Sequence, residues 1–141
     1  MALIKKLCNI AYTVLYRQTQ GENVKQQTQE QIRKHIRSDV VDKTINPEKQ
    51  NRHVLDSGGY VPGRSYLLKG IDAQELVNIY HATGEIRFAK STGVWKNRET
   101  VTTDRDIGIT INLITGEETV TNRFTIHYSK TGTHIVPNER R

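Results

Sequence analysis

From Ile86 onward the chain is a succession of short segments in which residue type alternates: Ile86–Lys90, Glu99–Thr103, Ile107–Leu113, Thr119–Tyr128 and Thr133–Val136. A period of two marks strands that bury one face. Thr115-Gly116 and Thr131-Gly132 fall where the last three segments would fold back as hairpins. Upstream the pattern differs. Asp72 can cap a helix running to about Ala82, with Leu76, Val77, Ile79 and Tyr80 inward and Gly84 as its stop. Arg64–Leu68 is a further short strand, between turns at Asp56–Gly59 and Pro62-Gly63. Helices followed by a strand meander describe an α+β domain with an antiparallel sheet, one face packed on helices and the other open.

The N-terminal third has another texture. Leu3, Leu7, Ile10, Ala11, Val14 and Leu15 lie at helical spacing, and Gln18 to Gln31 is polar. Ile32, Ile36 and Val40 then keep a thin apolar stripe as far as Lys43, until Asn46-Pro47 breaks it. The shift divides the chain into a basic helical extension or linker, residues 1–45, and a domain, residues 46–141. The net charge is +6; residues 1–45 carry eight Lys and Arg against four acids, and the remainder thirteen against eleven. That bias favours a polyanionic partner such as nucleic acid. Cys8 is the only cysteine, which excludes an intramolecular disulfide and a cysteine-rich metal site. The histidines are not at zinc-site intervals, so a mechanism without metal or cofactor is expected. No stretch has the length of a membrane-spanning helix. The apolar run to Tyr16 is broken by Cys8, Asn9 and Thr13 and lacks a small-residue cleavage site, against a secretory signal.

The segment from Phe124 to Pro137 carries the chemistry. A two-residue turn at Thr131-Gly132 pairs Lys130 with Thr133, Ser129 with His134, Tyr128 with Ile135 and His127 with Val136. Ile126, Tyr128, Lys130, Thr133 and Ile135 then share the packed face, and His127, Ser129, His134 and Val136 the open one. A bulge at Gly132 would change this register. Two imidazoles on one face suit acid–base work, since a neutral ring accepts a proton near pH 7 and a charged one returns it. The plain alternative is a pair of polar residues on the wet side of a sheet. Metal-free cleavage of a phosphodiester needs a base, an acid and cations around the phosphoryl group. Only RNA carries its own 2′-hydroxyl nucleophile, so such a site points to RNA.

Lys49-Gln-Asn-Arg-His53, Gly63-Arg-Ser-Tyr-Leu67, Asp72-Ala-Gln-Glu-Leu-Val77, Ile126-His-Tyr-Ser-Lys130 and Gly132-Thr-His-Ile-Val-Pro137 together resemble the type 50 polymorphic toxin domain. That family occurs at the C-terminal ends of secreted bacterial toxins and of phage minor capsid or head-morphogenesis proteins. The resemblance spans about residue 46 to the end. It implies a ribonuclease with a fold like the barnase, EndoU, colicin and RelE group, and a cognate immunity protein. It also implies action in the cytoplasm of a target cell after delivery within a secreted or phage-borne protein. The missing upstream region suggests a short form or a fragment.

Carried over residue by residue, the resemblance places His53, Arg64, Ser65, His127, Ser129 and His134 in the catalytic site. Arg64 and Ser65 would bind phosphate as a guanidinium fork and a hydroxyl. Arg52, Arg98, Glu99 and Lys130 are candidate substrate contacts, Lys130 only if a bulge turns it to the open face. Glu99 orients a histidine or serves as base, unless it forms a structural salt bridge. His81 reads as a helix-end residue, and His35 has no partner. Two other readings stand beside the ribonuclease: a non-catalytic nucleic-acid-binding or phage-head module, and an ADP-ribosyltransferase built on Arg64, Ser65 and Glu99.

Overall fold

In the computed structural model, which describes residues 27–141, the alternating half of the chain forms two antiparallel sheets. The helices are α1 (Gln29–Arg37), α2 (Pro47–Asn51) and α3 (Ala73–Tyr80). The strands are β1 (Tyr66–Leu67), β2 (Glu85–Phe88), β3 (Trp95–Thr102), β4 (Gly108–Ile111), β5 (Glu118–Thr121), β6 (Arg123–His127) and β7 (His134–Asn138). Three strands run in the order β1-β4-β5 and four in the order β2-β3-β6-β7, so the α+β meander holds. The single strand expected over Thr119–Tyr128 is two. β5 pairs with β4 and β6 with β3, and the chain changes sheets at Asn122. Asn122 ties the crossing to β3: its carbonyl accepts the Thr103 N–H at 2.9 Å and its side-chain amide donates to the Thr103 carbonyl at 2.8 Å.

The core lies between the inner face of the four-stranded sheet, with Phe124, Ile126 and Ile135, and the helices. Thr28 and Gln31 cap α1 reciprocally. The helix ends at Arg37 instead of reaching Lys43. The Ser38 hydroxyl donates to the His35 carbonyl, and the Lys43 ammonium donates to the carbonyls of Ile36, Ser38 and Val41 at 2.7, 2.9 and 3.1 Å. These bonds satisfy acceptors that a longer helix would have used. Ile32 and Ile36 are buried in the same core, while Val40 is exposed. Ile32, Ile36, Val41 and Ile45 therefore pack against the core of the sheet. The helix expected over 3–17 lies outside the described residues.

Asp72 caps α3 as expected, accepting from the Gln74 N–H at 2.9 Å, and Leu76 and Val77 face inward. Ile79 is exposed, against expectation. The helix ends at Tyr80, short of the expected Ala82, and Ala82 adopts a left-handed φ of 64°. A carboxylate makes this possible. Glu99, 0% exposed, accepts the Ala82 N–H at 2.7 Å, the Gly84 N–H at 2.8 Å and the Tyr128 hydroxyl at 2.6 Å. Three hydrogen bonds to one side chain are enough to offset one strained residue. Gly84 serves close approach, because a Cβ there would lie 2.5 Å from the Thr100 carbonyl oxygen.

Candidate active site

On the open face of the four-stranded sheet, β6 and β7 place His127 directly opposite His134. The register differs by two residues from the one a Thr131-Gly132 turn imposes, and the connection is the six-residue loop from Tyr128 to Thr133. An even shift keeps both imidazoles on the same face and brings them from a diagonal to a direct pair. The ladder stops early because the loop finds other partners. Tyr128 N–H donates to Asn97, Thr133 N–H to Thr44, and Asn46 N–H to Thr133, at 2.9, 2.9 and 2.8 Å. Gly132 sits at φ 110°, where a Cβ would press within 3.0 Å of the Thr44 carbonyl oxygen.

α2 lies along the outer edge of β7. Gln50, 4% exposed, donates to the Ile135 carbonyl at 3.0 Å and accepts its N–H at 2.7 Å. The amide thus completes one rung of the ladder beside His134. After α2 the chain delivers His53, which is buried, with Nδ1 at 2.8 Å from the Ser65 carbonyl oxygen. A carbonyl only accepts, so Nδ1 carries the proton and Nε2 keeps its lone pair. The outcome is a column of three imidazoles. His127 stacks on His134 at 4.7 Å with planes 19° apart, and His134 faces His53 at 6.2 Å and 17°. Lone pairs lie in the ring planes, so stacked rings do not aim them at one point. Among the described residues no three His, Cys, Asp or Glu side chains group as metal ligands.

Burial and positive charge keep the column neutral. His127 is pulled down to about 4, by burial first and then by His134 and Arg98. His134 is also pulled down to about 4, by burial and then by His53, Lys49, Arg52 and Arg98. Burial lowers His53 as well, with Arg64 and Arg52 adding to it and the Ser65 hydrogen bond opposing. Two grooves flank the column. One, about 490 Å³, joins His53 to Arg64, Ser65, Val61, Leu113 and Asn138. The other, about 320 Å³, joins His127 to Arg98, Thr100, Thr125, Arg123 and Arg141.

A family model described as Bacterial toxin 50 matches residues 45–137. The chain belongs to this bacterial toxin family. No curated protein matches it. The matched span contains α2 through most of β7, and with them the whole imidazole column. No helix among the described residues is long and apolar enough to cross a membrane.

The toxin domain brings His53, His127 and His134 together, with Arg52, Arg64 and Arg98 around them. Ser65 reaches the column through its backbone carbonyl. Ser129 is occupied in the loop: its hydroxyl donates to the Gly132 carbonyl at 2.7 Å and accepts from Lys49 Nζ at 3.0 Å. Lys130 is exposed, neither on the packed face nor at the column, and lines a separate groove with His35, Val41 and Trp95. Glu99 lies on the opposite side of the sheet and is fully buried, out of a substrate's reach. Among the described residues it makes no salt bridge, and it does not join Arg64 and Ser65 as an ADP-ribosyltransferase arrangement requires. His81 caps its own helix, Nδ1 donating to the Val77 carbonyl at 2.8 Å, and His35 meets Trp95 edge-on. Lys49 was missed as a site residue. It comes beside His134 through the docking of α2 on the β6–β7 loop, for which local sequence holds no signal.

Proposed function

We propose that this toxin domain is a metal-independent endoribonuclease whose products carry 2′,3′-cyclic phosphate ends. The observation that carries the reading is the stacked His127–His134 pair, with His127 lining a groove of guanidiniums. One imidazole removes the 2′-hydroxyl proton as O2′ attacks phosphorus. The other gives a proton to O5′ as the P–O5′ bond breaks. In this reading Arg98 and Arg64 meet the charge that the non-bridging oxygens gain in the transition state. His53, fixed by Ser65, orients His134 from behind.

The lowered pKa values say how the acid arises. At neutral pH the free rings are uncharged, so the base is ready and the acid is not. An arriving phosphodiester brings negative charge that opposes the surrounding cations and raises the imidazole pKa. Substrate binding thereby takes up the proton that the leaving oxygen needs. A toxin of this kind acts on RNA in a target cell's cytoplasm, and its producer needs an immunity protein that covers the basic face.

Incubation with total RNA in excess EDTA tests the reading. Cleavage should persist, and the new ends should be 2′,3′-cyclic phosphates, with the DNA counterpart left intact. Strict dependence on Mg²⁺ or Zn²⁺, or products with 5′-phosphates, would overturn it.

A further inference from the structure

The groove beside His127 has an organisation that two catalytic imidazoles do not require. Across β3, β6 and β7 the open face is a ladder of rows: Arg98, His127 and His134; then Thr100, Thr125 and Val136; then Thr102, Arg123 and Asn138. Successive rows are two residues apart, about 6.6 Å along a strand. This is the order of the step between neighbouring phosphates in an extended nucleic-acid strand. The second row forms a floor of hydroxyls. Thr100 and Thr125 are buried with their oxygens 3.3 Å apart, and Thr125 donates onward to Asn138.

Guanidiniums ring that floor in excess. Glu85 is the one carboxylate they meet among the described residues, and three share it: Arg141 at 3.2 Å, Arg87 at 3.6 Å and Arg123 at 3.9 Å. Arg98 adds a further positive charge from the first row. The Arg123 side chain is only 14% exposed, and its burial beside Arg141 and Arg87 holds its pKa below the ordinary arginine value. A cation so placed gains from an anion that would relieve the repulsion.

We propose that this groove is a second phosphate subsite, one nucleotide step from the phosphate at His127, so that the toxin engages an RNA strand over at least two successive phosphates. The identity of the first position rests on the ribonuclease reading; the second position is tested without cleavage. Affinities of the full chain for 2′-O-methyl oligoribonucleotides with one, two and three phosphates would be measured at two salt concentrations. These probes cannot form the cyclic phosphate, so binding is read even if no RNA is cut. The second phosphate should tighten binding by about tenfold or more, the scale of charge-assisted hydrogen bonds. Arg87→Gln with Arg141→Gln should cut that gain to less than about threefold and make the salt dependence shallower by about two. Arg123→Gln should act likewise, with circular dichroism reporting its fold. Should Arg123→Gln not fold, the exposed pair decides alone. A gain below about threefold in the parent, or a gain that survives the paired substitution, would overturn the subsite. Failure to cleave RNA would leave these binding increments intact, so the two readings fail separately.

Discussion

In the folded chain His127 and His134 titrate near pH 4, whereas an imidazole in the unfolded chain keeps its ordinary value of 6.5. Above pH 6.5 neither state holds these protons, and their neutrality costs nothing. As the pH falls through 6.5 the unfolded chain binds protons that the folded rings refuse, and stability declines until the folded rings charge near pH 4. Each ring contributes about 1.4 kcal/mol per pH unit, so two give about 4 kcal/mol between pH 6.5 and 5. The rings are half-buried, and water at their open edges screens this to about 2 kcal/mol. That is a sizeable part of the roughly 5–15 kcal/mol holding an ordinary domain. Urea unfolding at steps from pH 7.5 to 5 reads the slope, above the range where most carboxylates titrate. The parent should lose about 2 kcal/mol across the window, and His127→Asn with His134→Asn should lose less than half of that, the residue coming from His53. Parental stability that stays level from pH 7 to 5, or an unchanged slope in the double variant, would refute the buried, uncharged column.

Glu99→Ala strands the Ala82 and Gly84 amides and the Tyr128 hydroxyl, and should destabilise by about 3–5 kcal/mol in thermal unfolding; a loss under about 1 kcal/mol would show that the carboxylate does not hold this turn. Gln50→Ala removes both bonds to the Ile135 backbone. It should cost about 1–3 kcal/mol and slow RNA cleavage by about tenfold through a displaced His134, measured as a single-turnover rate. A chain of residues 46–141 loses Ile32 and Ile36, each worth about 1.5–3 kcal/mol of burial, and should lose cooperative unfolding, whereas residues 28–141 should keep it. We propose from this that the folding unit begins near Thr28.

The strand pattern and the α3 cap were legible because both are local. The division into two sheets was not. Thr119–Tyr128 alternates straight through Asn122, and only pairing with distant Thr103 makes that residue the switch. The register of the last hairpin escaped for a similar reason, since Thr44 and Asn46, far back in the chain, take the loop's hydrogen bonds. The shared face of His127 and His134 survived because alternation is indifferent to an even shift. His53 entered the site only through the family resemblance, and its tautomer follows from a Ser65 carbonyl brought near by the fold. Glu99 carried a signal that was overlooked: the pleat that turns Arg98 toward His127 must turn Glu99 into the core.

The most direct test of the imidazole column is the single-turnover cleavage rate of an RNA oligonucleotide by the parent, His127→Ala and His134→Ala chains, each checked for unchanged circular dichroism. The column predicts a fall of about a hundredfold or more for each variant, the usual size of a lost acid or base. Two folded variants that cleave at the parental rate would place the chemistry elsewhere.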